Sequence, residues 1–431
     1  MNSFAVVAER IRCRVCCRVL PACLFVLFAG ARIGNAAESE LSLDAAIALA
    51  LTRAPMIEAR EAGIAAATEE VARAAALPDP MLALGVQNLP IAGADAYSLD
   101  AEGMTMRSIG ITQALPSRAK REARRGSALA FQSEADATRS ATVLETKQAV
   151  ASAWIALWAA ERERSLIEEL REQARLAVAA SKARLGGGAG TASDALAARA
   201  AELELDNRLD DAEATVEQAR AGLARWIADA AGRAIATSPD FSELPHTQSE
   251  LLEQIDRQAP LRVWDARESS ADAALAMANA ERRPDWSIGA GFAKRGGDAS
   301  NVVWLEVGIG LPVFTANRQD RGINARRSDL QAIRAAREDA RRSAEESVRK
   351  DLALWSALGR KATRFRESIL PLAHDRSATA LAAYSGGADL DRWLVAQRDE
   401  IASRIEYAKL LAEWGQAWAA LTWLLPEEGA R

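Results

Sequence analysis

The chain of 431 residues has four cysteines, and all of them, Cys13, Cys16, Cys17 and Cys23, fall in the N-terminal segment. If that segment is removed as a leader, no thiol remains. A disulfide framework, a thiolate zinc site and a cysteine nucleophile are then all excluded. Histidine is almost absent as well: His246 and His374 are the only two, too few for a zinc cluster and without the setting of a Ser/His/Asp triad. Aromatic residues make up 5% of the chain, while Ala, Arg, Glu and Leu abound, a composition that points to long helices. Beyond the leader there is no apolar run of the roughly 20 residues that a transmembrane helix needs. Membrane insertion, if the chain inserts, must use strands.

The leader has its own signature. The first 37 residues hold five Arg and one Glu, then the apolar "LPACLFVLFAG" and the small residues of "GNAAES". This predicts a signal peptide over 1–37 with cleavage near Ala37. "LPAC" also reads as a lipoprotein processing site at Cys23, although most of the apolar run follows that cysteine. The whole chain carries a net charge of −5, and loss of an Arg-rich leader makes the remainder more acidic, with both signs interspersed. Nucleic acid is not an expected partner.

Proline is missing from 117–185, where Gly126 is the only glycine and apolar positions recur every three or four residues, as in "AVASAWIALWAAERERSLIEELREQARLAVAASKARL". That spacing predicts one helix, about 100 Å long at 1.5 Å per residue. Glycines over 186–190 then separate it from a second proline-free segment, 191–231, with Thr191 or Ser193 available as its cap. The second half repeats the order: a helical segment over 317–384, the "SGG" turn, and another over 389–425. Trp154 and Trp355 fall in equivalent places, as do Gly188 and Gly387, and "APMIEAR" and "APLRVWDAR" open shorter helices ahead of each hairpin. An internal duplication accounts for all of these matches. The expected organisation is a first repeat over 38–236, a belt segment over 237–254 and a second repeat over 255–431.

Each copy also carries a pair of short alternating segments. "VVWLEVGIGLPVF" places Val303, Leu305, Val307, Ile309 and Leu311 on one face and Trp304, Glu306, Gly308 and Gly310 on the other. "DWSIGAGFAKR" alternates in the same way, and "MLALGVQNL" and "MRSIGITQA" do so more weakly. These are strands with one apolar face and a length that spans a bilayer in a barrel. Four strands cannot close a barrel and lipid tolerates no open edge, so several protomers are expected to share one. A soluble coiled-coil scaffold of two packed hairpins is the alternative from another class, but it leaves the glycine-lined face of the strands nothing to pack on.

Two copies of helix, strand, strand and long hairpin, with tips reading "RLGGGAGTASDALAARA" and "YSGGADLDRWLVAQ", resemble the TolC family of outer-membrane efflux channels. The likeness runs from "LSLDAAIALALTRAP" to "WAALTWLLP". "LPDPMLALGVQNLP" and "MTMRSIGITQALPSRAKREARR" are most like the CzcC and CusC branch, which serves heavy-metal efflux. The resemblance implies a mainly α chain with a transmembrane β-barrel. Long antiparallel helical hairpins would form an α-barrel in the periplasm, and four strands per protomer would build a twelve-stranded barrel in a homotrimer. It further implies a passive exit duct without a cofactor, working with a periplasmic adaptor (membrane fusion protein) and an inner-membrane resistance-nodulation-division pump. Drug efflux or type I secretion is the alternative within the family.

Carried onto this sequence, the resemblance assigns adaptor contact to Arg184, Leu185, Gly187, Gly188, Thr191, Asp194 and Leu196 at the first tip. At the second tip it assigns the same role to Tyr384, Gly386 and Gly387. Asp389, Asp391 and Arg392 are the candidate gate, although the usual carboxylates around Leu394 are replaced here by Arg392 and Val395. Leu305, Val307 and Ile309 are expected to face outer-membrane lipid. Tyr97, Trp286, Phe292, Trp304 and Phe314 are candidates for interfacial aromatic belts. Met104 and Met106 are read as strand-edge packing in preference to soft metal ligands. Carboxylate pairs such as Glu168 with Glu169, or Glu345 with Glu346, read as solvated helix faces, and catalysis is not expected.

Overall fold

The computed structural model describes residues 40–388 and 390–426, with the backbone alone for Leu390 and Asp391. The expected signal peptide over 1–37 lies outside the described residues. The first helix of the described residues is α1 (Leu43–Arg53), capped by Ser42, whose Oγ accepts from the amide of Ala45 at 3.2 Å. Its buried residues Leu43, Ala46, Ile47 and Ala50 form one face at helical spacing. Pro55 opens α2 (Pro55–Ala74) at a position where its missing N–H costs nothing. Strands β1 (Met81–Gln87) and β2 (Met106–Leu115) follow, and then α3 (Arg118–Gly186), a single helix of 69 residues.

The first hairpin closes with α4 (Ala192–Ile227), and the short α5 (Gln248–Glu253) lies in the connecting segment. The second half supplies α6 (Ala259–Ala280), β3 (Asp285–Arg295), β4 (Val302–Gly310) and α7 (Gln319–Arg364). The helical segment expected over 317–384 is not uniform. A π turn at Phe365–Ile369 separates α7 from α8 (Leu370–Ser385), directly ahead of Pro371. Proline removes an intrahelical donor and its ring crowds the preceding turn, and a single widened turn is one way to absorb that. The last helix, α9 (Leu390–Thr422), completes the second hairpin.

Helix α3 is the spine. It packs against α4, α6, α2 and α9, while α7 packs on α6 and α9. The largest core cluster gathers Leu43, Ile47, Val150, Trp154, Ile155, Leu223, Ile227 and Phe241 between α1, α3, α4 and the connecting segment. Trp154 is fully buried and its indole N–H donates to the carbonyl of Leu41 at 2.9 Å. Trp355 does the equivalent on α7, donating to the carbonyl of Phe241 at 2.8 Å. Leu41 forms a parallel bridge with Ile235, so the backbone just before α1 is fastened to the backbone just after α4.

The four strands form one antiparallel sheet in chain order, β1-β2-β3-β4. Its central pair joins β2 to β3, strands from opposite halves of the sequence. The outer edges of β1 and β4 have no strand partner among the described residues.

Candidate functional site

Two places combine the sequence-predicted residues: the sheet and the two hairpin tips. Residues paired across an antiparallel ladder share a face, so the register assigns every strand side chain. One row runs Leu82, Ile111, Ala290, Leu305, and the next runs Leu84, Ile109, Phe292, Val303. Toward the helical end, Leu115 pairs with Trp286 and Trp286 with Ile309. The result is an apolar face on which Leu84, Val303 and Leu305 are 72%, 80% and 75% exposed. Such a contiguous exposed apolar surface must meet lipid or another protein. Polar side chains enter this face at its loop end, where Val86, Arg107 and Lys294 form one row, and at Gln113, which turns back on the backbone and donates to the carbonyls of Pro78 and Ala114.

The opposite face is built from small residues. Its rows read Ala83, Gly110, Gly291, Trp304, and Met81, Thr112, Gly289, Glu306. Trp304 lies flat across its neighbours: a Cβ placed on Gly291 would sit 2.1 Å from the indole, and one on Gly110 would sit 2.8 Å from it. Those two glycines are what let the ring lie against the wall. Trp304, one of the aromatic-belt candidates, therefore lies on the glycine-rich face, where alternation along β4 puts it. The apolar face does carry Trp286 and Phe292, and Tyr97 and Phe314 are exposed outside the strands. Met104 is 57% exposed beside Arg295. Among the described residues, no three His, Cys, Asp or Glu side chains gather as a metal site, and no helix is long and apolar enough to cross a membrane.

The hairpin tips repeat one turn. At the first, the amides of Gly187, Gly188 and Ala189 donate to the carbonyls of Ala183, Leu185 and Arg184. At the second, those of Gly386, Gly387 and Ala388 donate to Ala382, Tyr384 and Ala383. This is the pattern in which a helix ends on a left-handed residue. Positive φ falls only on Gly188 (φ 74°) and Gly387 (φ 101°) within the two turns, and Gly187 and Gly386 keep ordinary negative φ. Left-handed backbone is thus used at one glycine in each tip.

The remaining tip residues divide by what they touch. Thr191 and Asp194 satisfy each other in a reciprocal cap: Thr191 Oγ1 accepts from the amide of Asp194 and Asp194 Oδ2 accepts from the amide of Thr191, both at 3.1 Å. Arg184 crosses to the second tip, where its guanidinium stands 4.4 Å from the centre of the Tyr384 ring and donates to the Tyr384 carbonyl at 3.3 Å. Tyr384 in turn stacks on Trp393, with ring centroids 5.6 Å apart. Leu185 and Leu196 are exposed, at 40% and 71%. Of the candidate gate, Asp389 and the side chain of Asp391 lie outside the described residues, and Arg392 is exposed.

Between the tips and the middle of α8 lies a link that sequence reasoning missed. Glu400 on α9 is buried and accepts from Arg404 at 2.6 Å, with His374 Nδ1 of α8 at 3.1 Å. Burial pushes its carboxyl up, but hydrogen bonds from His374, Ser377 and Arg404 outweigh this and hold it below the usual carboxylate range. Nearby, Arg376 donates to Asp399 at 2.7 Å. Only the spacing of His374 and Glu400 across a predicted turn could have signalled this contact.

A family model described as outer membrane efflux protein matches residues 46–228, the first hairpin with the elements ahead of it. Over that stretch the chain is similar to the outer membrane efflux protein family, and its fold is that of outer-membrane channels. Among solved structures, VceC of Vibrio cholerae is 17% identical with a TM-score of 0.72, covering 88% of this chain and 94% of that one. CusC, described for the conformational changes that accompany its folding and channel formation, gives 16% identity and a TM-score of 0.71 over 89% of this chain and 91% of its own. The CmeC outer membrane channel of Campylobacter jejuni gives 11% and 0.74 over 88% and 84%. No curated protein matches the chain in sequence. These neighbours are described as an outer membrane protein, a protein that forms a transmembrane channel and an outer membrane channel.

Proposed function

We propose that three copies of this chain form the outer-membrane exit duct of a tripartite system that expels heavy-metal cations. The observation that carries the duct is the sheet: a continuous apolar face with no internal partner, a glycine-rich opposite face, and two open edges. In this reading Leu305, Val307 and Ile309 meet lipid, and the other face lines the lumen. Pairing β4 of one protomer to β1 of the next satisfies both edges, and twelve strands close the ring. The long hairpins extend into the periplasm. Their tips, with exposed Leu185 and Leu196 and the turns at Gly188 and Gly387, are offered to a membrane-fusion adaptor that links the duct to a resistance-nodulation-division pump. The segments 38–236 and 255–431 act as two repeats joined by the belt over 237–254, behind a signal peptide over 1–37.

The metal assignment has narrower support, the sequence likeness of "LPDPMLALGVQNLP" and its companion segment to the CzcC and CusC branch. The structural neighbours share the fold at comparable TM-scores and do not favour a cargo. Drug efflux therefore remains the second reading. A deletion strain challenged with metal salts and with a drug panel separates the two: hypersensitivity to metals alone is expected, and hypersensitivity to drugs alone overturns the cargo. Recovery of the protein in the soluble periplasmic fraction without detergent would overturn the duct itself. Detergent-solubilised protein is expected at three protomer masses after correction for detergent.

A further inference from the structure

We propose that Glu306 sets the charge selectivity of the barrel, making its lumen favour cations. The inference rests on the reading that the glycine-rich face lines a pore, and it assigns a residue to that pore's specificity.

Three charged side chains belong to this face within the strands. Asp285, at the helical end, is engaged by Lys120 at 2.6 Å and by the amide of Ser117 at 3.0 Å. Arg295, at the loop end, donates to the carbonyl of Gly103 at 2.7 Å. Glu306 lies between them, exposed, and forms no ion pair among the described residues. Its cross-strand neighbour is Gly289, next to Thr112, and the following inner positions of β4 are Gly308 and Gly310. Across the strand and on the C-terminal side along β4, its neighbours on this face are glycines.

Trp304, two residues earlier on the same face, would be the natural obstruction, but its indole is laid over Gly291 and Gly110. The wall is kept low around an unpaired negative charge, and the nearest aromatic surface is turned flat, a face that also attracts cations. Symmetric closure of the barrel repeats Glu306 at one height, and a ring of carboxylates in a confined pore raises the local concentration of cations over anions.

The test is a reversal potential. Purified full-length protein is inserted into planar lipid bilayers across a KCl gradient, and the wild type, Glu306→Gln, Glu306→Asp and Glu306→Lys are compared. The wild type is expected to favour K⁺ over Cl⁻. Glu306→Gln should shift the reversal potential toward zero, Glu306→Asp should hold the wild-type value, and Glu306→Lys should shift it furthest toward anions. The difference between wild type and Glu306→Gln should shrink near 1 M salt, where the Debye length is about 3 Å. Conducting Glu306→Gln channels with the wild-type reversal potential would overturn the assignment and leave the duct intact. If the wild type itself forms no channels, the barrel reading fails and the selectivity assignment fails with it. A merely structural role for Glu306 would lower insertion frequency in Glu306→Gln and Glu306→Lys without ordering the reversal potentials by charge, and that outcome also overturns the proposal.

Discussion

The two hairpins share a turn but not a degree of burial. Helix α3 runs 69 residues without interruption and keeps a buried face along most of its length, from Ala128 to Ser181. Its counterpart is broken by the π turn, and beyond that turn α8 buries only Ser377 and Tyr384. Few buried contacts mean low local stability. The comparison teaches that a repeated plan need not give equal arms: one hairpin is a strut fixed by its core, and the other is held near its tip by a few polar and aromatic contacts, among them Arg184 on Tyr384 and His374 on Glu400.

The largest effect expected from this asymmetry is at the two tryptophans. Trp154→Ala removes a fully buried ring and should cost about 3–5 kcal/mol. Trp355→Ala should cost less, since part of its ring is already in water. Thermal unfolding of the detergent-solubilised protein measures both, and equal losses would remove the distinction. The tips should behave alike instead. Gly188→Val and Gly387→Val each force a β-branched residue into left-handed backbone, at about 1–2 kcal/mol apiece. Gly187→Val, at negative φ, should be tolerated. Amide exchange in the last turns of α3 and α8 reads this contrast, which fails if Gly187→Val is as harmful as its neighbour.

A smaller effect concerns pH. Because Glu400 is held below its ordinary value, its contribution is present above the range of a free glutamate, about 4.3, and is lost as pH falls through the lower folded value. Exchange protection in α8, corrected for intrinsic rates, should therefore drop on acidification below that range. Glu400→Gln should flatten the dependence, while α3 stays protected. An equal loss in both helices would place the acid sensitivity elsewhere. The smallest effect is expected at Asp351 on α7, where burial raises the carboxyl against weaker help from Ser347 and Lys350. A raised folded value means that folding works against the ionised carboxyl, so the charge lowers stability wherever the unfolded chain carries it. Asp351→Asn should raise the melting temperature slightly, and a fall would show that the charge is supported.

Much of this was legible from spacing alone. The long helices follow from apolar positions at 3.6-residue periodicity without proline, and the strand faces follow from strict alternation in "WLEVGIG". What escaped depends on pairs distant in sequence. Alternation puts Trp304 on the glycine-rich face, but Gly110 and Gly291 lie on other strands, and only the register brings them beneath the ring. The Arg184–Tyr384 contact joins tips from opposite halves. The π turn is hidden for a different reason: widening one turn leaves the local pattern helical, and only Pro371 hints at it. Likewise, composition cannot say which glycine in a run takes the left-handed position, since that is decided by where the helix exhausts its last hydrogen bond.

The open edges of β1 and β4 also constrain the order of events in assembly. A lone four-stranded sheet entering hydrocarbon would carry two rows of unpaired amides and carbonyls, each costing several kcal/mol, so in the proposed duct the protomers would have to meet before or while they insert. The insertion rate then depends on more than the first power of protomer concentration. On that proposal the chains would have to find one another while the apolar band is still in water, and dilution would slow their entry out of proportion to the number of chains removed.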